Sequence, residues 1–77
     1  MLLRIFLDKQ AFDCLCQIVP HNTTCRIALE EAGLLGNTRI VVCDDVNARE
    51  LLVHAKGHCP TADVTIAESI RAAGLTP

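Results

Sequence analysis

The chain has 77 residues and a formal net charge of −2, with hydrophobic residues making up 51% of it, so it has the size of one domain. Its seven Lys and Arg residues are dispersed, and Phe6 and Phe12 are its only aromatic residues. We therefore expect no basic surface for a phosphate backbone and no aromatic platform for stacking single-stranded bases. The composition disfavours non-specific nucleic-acid binding.

The apolar fraction is high for so small a body, and part of it should lie on the surface rather than in the core. We expect this surface to bind a second copy in a homodimer, or another protein. The first apolar run, residues 2–7, is interrupted by Arg4 and followed by Asp8, so it predicts neither a signal peptide nor a membrane segment. Five cysteines without a signal peptide predict reduced thiols in a cytoplasmic protein.

In chain order, residues 2–7 form a nearly unbroken apolar run, which is typical of a strand that is covered on both faces. A helix over about residues 9–19 follows, because apolar residues recur at helical spacing and Pro20 comes directly after them. A second helix is predicted between Thr23 and Gly33, and Gly36-Asn37 indicates a turn into the next strand.

The second half begins with another apolar run, residues 40–43, which predicts a second strand that is also covered on both faces. A capping-box pattern at residues 47–50 and an apolar stripe that continues to Ala55 predict a third helix. The last segment is ambiguous. Residues 62–66 alternate as in a strand, whereas residues 65–68 resemble a helix start, and we favour a helix that ends near Ala73.

The two halves resemble each other: a shift of 37 positions aligns Asp8 with Asp45 and His21 with His58. Each half then consists of a strand followed by two helices. We predict a single α/β domain over residues 1–77, in which two βαα units, residues 2–35 and 38–76, form a small parallel sheet covered by about four helices.

Carboxylates follow both predicted strands, and in a parallel sheet they would meet at one edge. Such a group can bind Mg²⁺ or Mn²⁺, which prefer oxygen ligands and activate water. The alternative, which we favour, is that Asp8 and Asp45 cap helices and that Glu30, Glu31 and Glu50 lie on solvated faces. The candidate metal ligands are Asp8, Asp44 and Asp45, with Glu30 and Glu31 as further catalytic candidates.

The segment 39–49 resembles the late strand of PIN-domain ribonucleases, in which an Asp-Asp-x-x-Ala-Arg run follows a hydrophobic strand. Phe6-Leu7-Asp8 is similar to the first strand of that family. The resemblance implies a compact PIN-like domain that binds a divalent metal through Asp8, Asp44 and Asp45 and cleaves RNA.

Cysteine and histidine form a further set of candidates. His54 and His58 are four residues apart, a spacing that zinc can use, and Cys59 could add a thiolate. The alternative is that cysteines such as Cys16, Cys25 and Cys43 serve as small core residues, which we favour.

Two functional hypotheses follow. No nucleophile motif or glycine-rich phosphate loop is present, so the first hypothesis is a non-catalytic protein-interaction module that forms a homodimer and needs no cofactor. The alternative is a PIN-like ribonuclease that depends on Mg²⁺, with RNA as its partner.

Overall fold

The computed structural model describes all residues, 1–77, as one α/β body of three strands and four helices. Two strands and two helices cover residues 2–35, and a strand followed by two helices covers residues 38–72. In chain order they are β1 (Leu2–Asp8), α1 (Lys9–Ile18), α2 (Thr24–Glu30), β2 (Gly33–Leu35), β3 (Thr38–Asp44), α3 (Asp45–Ala55) and α4 (Pro60–Ala72).

The sheet is antiparallel, with the strand order β1-β3-β2. The predicted parallel sheet of two strands is therefore wrong. The prediction fails because of the short strand β2, which lies between the predicted end of the second helix at Gly33 and the predicted turn at Gly36-Asn37. Since β1 and β2 are both antiparallel to β3, they run in the same direction, so the helices α1 and α2 connect two strands with the same orientation. The hairpin that follows β2 then reverses the chain and inserts β3 between them.

The β2–β3 hairpin turns at Gly36 and Asn37, between the paired residues Leu35 and Thr38. Gly36 has a φ of 60°, a conformation that favours glycine. A glycine with positive φ in the first position of a two-residue loop is typical of the tight turns that match the twist of a hairpin. The turn was predicted at the correct place, but the strand that enters it was not.

The helices all lie on one face of the sheet. Residues of β1 alternate between exposed and buried positions, and Leu3, Ile5 and Leu7 point into the core. Three of the helices, α1, α3 and α4, contact β1, while α2 packs against β3. The domain therefore has two layers, and the second face of the sheet is open to solvent. Both long strands were predicted to be covered on both faces, which is wrong.

The helix predictions agree with the structure better than the sheet prediction does. Helix α1 lies where its apolar stripe placed it, whereas α3 begins at Asp45, before the predicted capping box at residues 47–50. Residues 62–66 belong to α4, so the helical interpretation of that segment is confirmed. Helix α2 is shorter than predicted, because the chain leaves the helix at Glu31 and enters β2. Arg26 fixes α2 to the end of α1 by donating hydrogen bonds to the backbone carbonyls of Cys16 and Val19.

A disulfide joins Cys14 in α1 to Cys59, the residue that precedes α4, and their Cα atoms are 6.0 Å apart. Cys16, Cys25 and Cys43 are free. The prediction that all five cysteines are reduced is therefore wrong for this pair, and the cysteine content gives no support to a cytoplasmic location. The bond connects the first and last helices of the fold across 45 positions of sequence.

Candidate functional site

The structure separates the predicted acidic cluster. In the β1–β3 register Asp8 lies opposite Thr38, whereas Asp44 lies opposite Leu2. The two aspartates are therefore at opposite ends of the strand pair, roughly 20 Å apart for six residues of extended chain. Because a metal ion needs ligands within about 2–3 Å of one centre, Asp8 and Asp44 cannot share one.

These aspartates cap helices instead. Asp8 Oδ1 accepts a hydrogen bond from the Ala11 backbone N–H at 2.7 Å, and Asp44 Oδ1 accepts one from Asn47 N–H at 2.8 Å. The capping alternative is thus confirmed for Asp8, while in the second half the cap is Asp44 rather than Asp45. Each carboxylate satisfies a backbone donor that the first turn of a helix leaves free.

The other acidic candidates are engaged on the helix surfaces. Asp45 accepts a hydrogen bond from Arg49 Nη1 at 3.0 Å, and this bond lowers the pKa of Asp45 below its ordinary value. Glu30 is exposed and lies 3.7 Å from Nε of the largely buried Arg26, and Glu31 is exposed at the end of α2. None of these contacts gathers the carboxylates around a common point.

Removal of the Asp8 cap gives a direct stability prediction. We expect Asp8→Ala to lower the free energy of unfolding by about 1 kcal/mol, since it leaves the Ala11 N–H without its partner. Urea denaturation measures the effect. Glu68→Ala, an exposed position inside α4, is the matched control and should stay within about 0.5 kcal/mol of the native chain. Equal effects of the two substitutions would contradict the capping role.

The predicted zinc set of His54, His58 and Cys59 does not form. Cys59 is in the disulfide with Cys14 and has no thiolate to donate. Helix α3 ends at Ala55, so His58 lies beyond it, on the exposed turn after Gly57, and the two histidines do not share a helical face. Gly57 has a φ of 79°, which redirects the chain before His58.

A different cluster forms around His54. The thiol of Cys25, the carboxylate of Glu50 and the imidazole of His54 offer ligand atoms that all lie within 4.8 Å of one another. Cys25 is buried at the start of α2, whereas Glu50 and His54 are partly buried on α3. Cys25 and His54 were among the thiols and imidazoles singled out in the sequence, but Glu50 was assigned to a solvated face. The available signal was its spacing of four residues from His54.

The free thiols sit in surroundings that favour the protonated form. Burial raises the pKa of Cys25, which its hydrogen bond to Thr23 partly offsets and the Glu50 carboxylate reinforces. Burial, with a smaller contribution from the Asp44 charge, raises the pKa of Cys43 to about 11. Neither side chain is an activated nucleophile.

The open face of the sheet carries a contiguous group of exposed apolar residues. Leu2 is 73% exposed, Phe6 54% and Val42 46%, and together with Arg4 they line a shallow concavity. We refer to this surface as the outer sheet face; it consists of the outward-facing residues Leu2, Arg4, Phe6, Ile40 and Val42. Isolated exposed apolar residues are ordinary, whereas a contiguous group marks an interaction surface.

Comparisons with protein-family models, with curated proteins and with solved structures found no match for this chain.

The longest helix, α4, has 13 residues, and no helix combines the length and hydropathy needed to cross a bilayer.

Proposed function

We propose that the protein is a small, non-catalytic interaction module that forms a homodimer by stacking two outer sheet faces. The observation that supports this proposal is the open face itself, where Leu2, Phe6 and Val42 are exposed beside one another. Stacking two such faces gives a sandwich with helices on both outer sides, in which the apolar residues of each copy lose contact with water.

The symmetry of the surface suits a second copy. A stable interface buries roughly 800 Å² per partner, which is about a sixth of the 4572 Å² accessible surface of this chain. The long strands β1 and β3 have seven residues each, so the three-stranded face measures roughly 23 by 14 Å, or about 320 Å² in projection. It therefore forms the centre of a small interface, of the size of weak pairs, and two identical faces satisfy the symmetry of a twofold dimer.

Charge on the outer sheet face is also self-complementary. Arg4 is its one cation and forms no ion pair within the chain, while Asp8 and Asp44 lie at the two ends of the same surface. Arg4 belongs to β1, an edge strand, so its guanidinium lies at the rim and can stay solvated. In a twofold dimer this cation meets carboxylates of the other copy at the rim, where such pairs favour specificity more than affinity.

A charged residue in this surface should prevent the assembly. We expect Phe6→Lys to weaken dimerisation at least 30-fold, because it removes an aromatic anchor and places a lysine of each copy in the apolar interface. Sedimentation equilibrium measures the dissociation constant, and circular dichroism confirms that the variant is folded.

The matched control is Ile27→Lys on α2, which is 53% exposed, against 54% for Phe6, and belongs to a helix that does not contact β1. It should dimerise as the native chain does. A native chain that remains monomeric at the concentrations used for NMR would contradict the proposal, as would equal weakening by both lysines.

No structural observation favours the ribonuclease alternative. Its metal ligands, Asp8 with Asp44 and Asp45, lie at opposite ends of the β1–β3 pair, and both capping carboxylates are already bonded to backbone. We therefore retain the interaction module as the proposed function.

A further inference from the structure

The cluster of Cys25, Glu50 and His54 differs from the other titratable groups of the molecule in its composition. It joins a sulfur, an oxygen and a nitrogen donor, and their ligand atoms lie within 4.8 Å of one another. Glu50 and His54 are one helical turn apart, so they extend from the same side of α3. Cys25 comes from α2, which packs against α3.

The two ligands on α3 are not engaged elsewhere. The side chains of Glu50 and His54 take part in none of the hydrogen bonds or ion pairs of the structure. Cys25, by contrast, is fully buried and contacts Thr23 Oγ1 at 3.4 Å. The cluster thus combines one fixed donor with two adjustable donors that reach solvent.

These distances suit a zinc ion. Zinc binds sulfur at about 2.3 Å and nitrogen or oxygen at about 2.0–2.2 Å, so the donors of a tetrahedral site lie roughly 3.5 Å apart. The largest donor separation here is within 4.8 Å, and side-chain rotations of Glu50 and His54 that bring the donors about 1 Å closer complete the geometry.

We propose that Cys25, Glu50 and His54 bind one Zn²⁺ ion, with water as the fourth ligand. Thiolate and imidazole donors select zinc over Mg²⁺ or Ca²⁺, which prefer oxygen alone. On binding, the Cys25 thiol loses its proton to solvent and its sulfur donates the electron pair to the metal. Zinc sites with three protein ligands and a water on the solvent side can exchange that water for another ligand.

The proposed ion would also link two helices. Helix α2 has only seven residues, and its N-cap residue, Thr23, makes no side-chain capping bond. A metal shared between Cys25 and the pair on α3 therefore stabilises the connection between the two halves of the chain. This inference is independent of the proposed dimer, since the cluster lies among the helices and not on the outer sheet face.

Cobalt serves as the optical probe, because tetrahedral Co²⁺ absorbs in the visible range and a Co²⁺–thiolate bond adds absorption in the near ultraviolet. The oxidised protein, without reductant, is titrated with Co²⁺ and then with Zn²⁺, so that Cys14 and Cys59 stay in their disulfide. We expect one Co²⁺ per chain with thiolate absorption, displacement by Zn²⁺, and a rise of the melting temperature by roughly 10–20 °C at a hundredfold excess over the dissociation constant.

Variants assign the ligands. Cys25→Ser should abolish the thiolate absorption, and His54→Gln should weaken Zn²⁺ binding at least tenfold. His54 is partly exposed, so its substitution leaves the core intact and tests the site even if the buried Cys25→Ser variant fails to fold. His58→Gln, which changes an exposed histidine outside the cluster, is the matched control and should bind as the native chain does.

Three results would overturn the proposal. They are Co²⁺ binding without thiolate absorption, Zn²⁺ binding that His54→Gln leaves unchanged, and weakening by His58→Gln equal to that by His54→Gln. Loss of the dimer has no bearing on this titration, so failure of the proposed interaction and failure of the metal site are distinguishable.

Discussion

Removal of the Cys14–Cys59 disulfide is expected to lower the free energy of unfolding by about 4 kcal/mol. The bond closes a loop with a sequence separation of 45, and the loss of chain entropy in the unfolded state sets this magnitude. A domain of 77 residues has a total stability of about 4–12 kcal/mol. The pair thus provides a large part of it, and its loss should lower the melting temperature by roughly 15–30 °C.

The experiment compares a double variant, Cys14→Ala with Cys59→Ala, with the native chain in urea, and the native chain with and without reductant. Cys16→Ala is the control, because Cys16 is a free and only partly buried thiol on the same helix as Cys14. It should cost about 1 kcal/mol or less. A double variant that is as stable as this control would show that the bond does not contribute to folding.

Local signals in the sequence were sufficient for most of the helices. Pro20 and Gly57 mark the ends of apolar stripes at the correct places, and the acids that follow the long strands are the caps that start α1 and α3. Such signals depend on a few neighbouring residues, so they can be interpreted without knowledge of the fold.

Strand direction was not predictable in the same way. It depends on three residues, Gly33–Leu35, which are too few to show a strand pattern and which follow the predicted end of the second helix directly. Once they form β2, the hairpin at Gly36 reverses the chain, and Asp44 moves to the far end of the sheet from Asp8. One missed short strand therefore removed the predicted metal site as well as the parallel sheet.

The side-chain contacts between distant parts of the chain could not be predicted from the sequence either. With five cysteines, spacing alone does not identify Cys14 and Cys59 as partners. The Glu50–His54 spacing was visible, but Cys25 joins it only because α2 folds back on α3. Both contacts depend on helix packing, which a single sequence does not reveal.

The second large effect on stability is expected at Ile5, which the register of β1 places in the core. This side chain has no exposed surface, and its neighbours in the strand, Arg4 and Phe6, are exposed. We expect Ile5→Ala to lower the free energy of unfolding by about 3–4 kcal/mol, since it leaves a cavity between the sheet and the helices. Urea denaturation, at a protein concentration where the chain is monomeric, measures the change.

A smaller truncation at the same position tests the prediction even if the alanine variant does not fold. Ile5→Val should cost about 1 kcal/mol, whereas Val53→Ala, at a position of α3 that is 69% exposed, should stay within about 0.5 kcal/mol. A shift of the strand by one residue would exchange the two faces, so Ile5 would become exposed and Phe6 buried. Phe6→Ala would then be the costly substitution and Ile5→Ala nearly neutral, and that result would overturn both the register of the sheet and the interaction surface that depends on it.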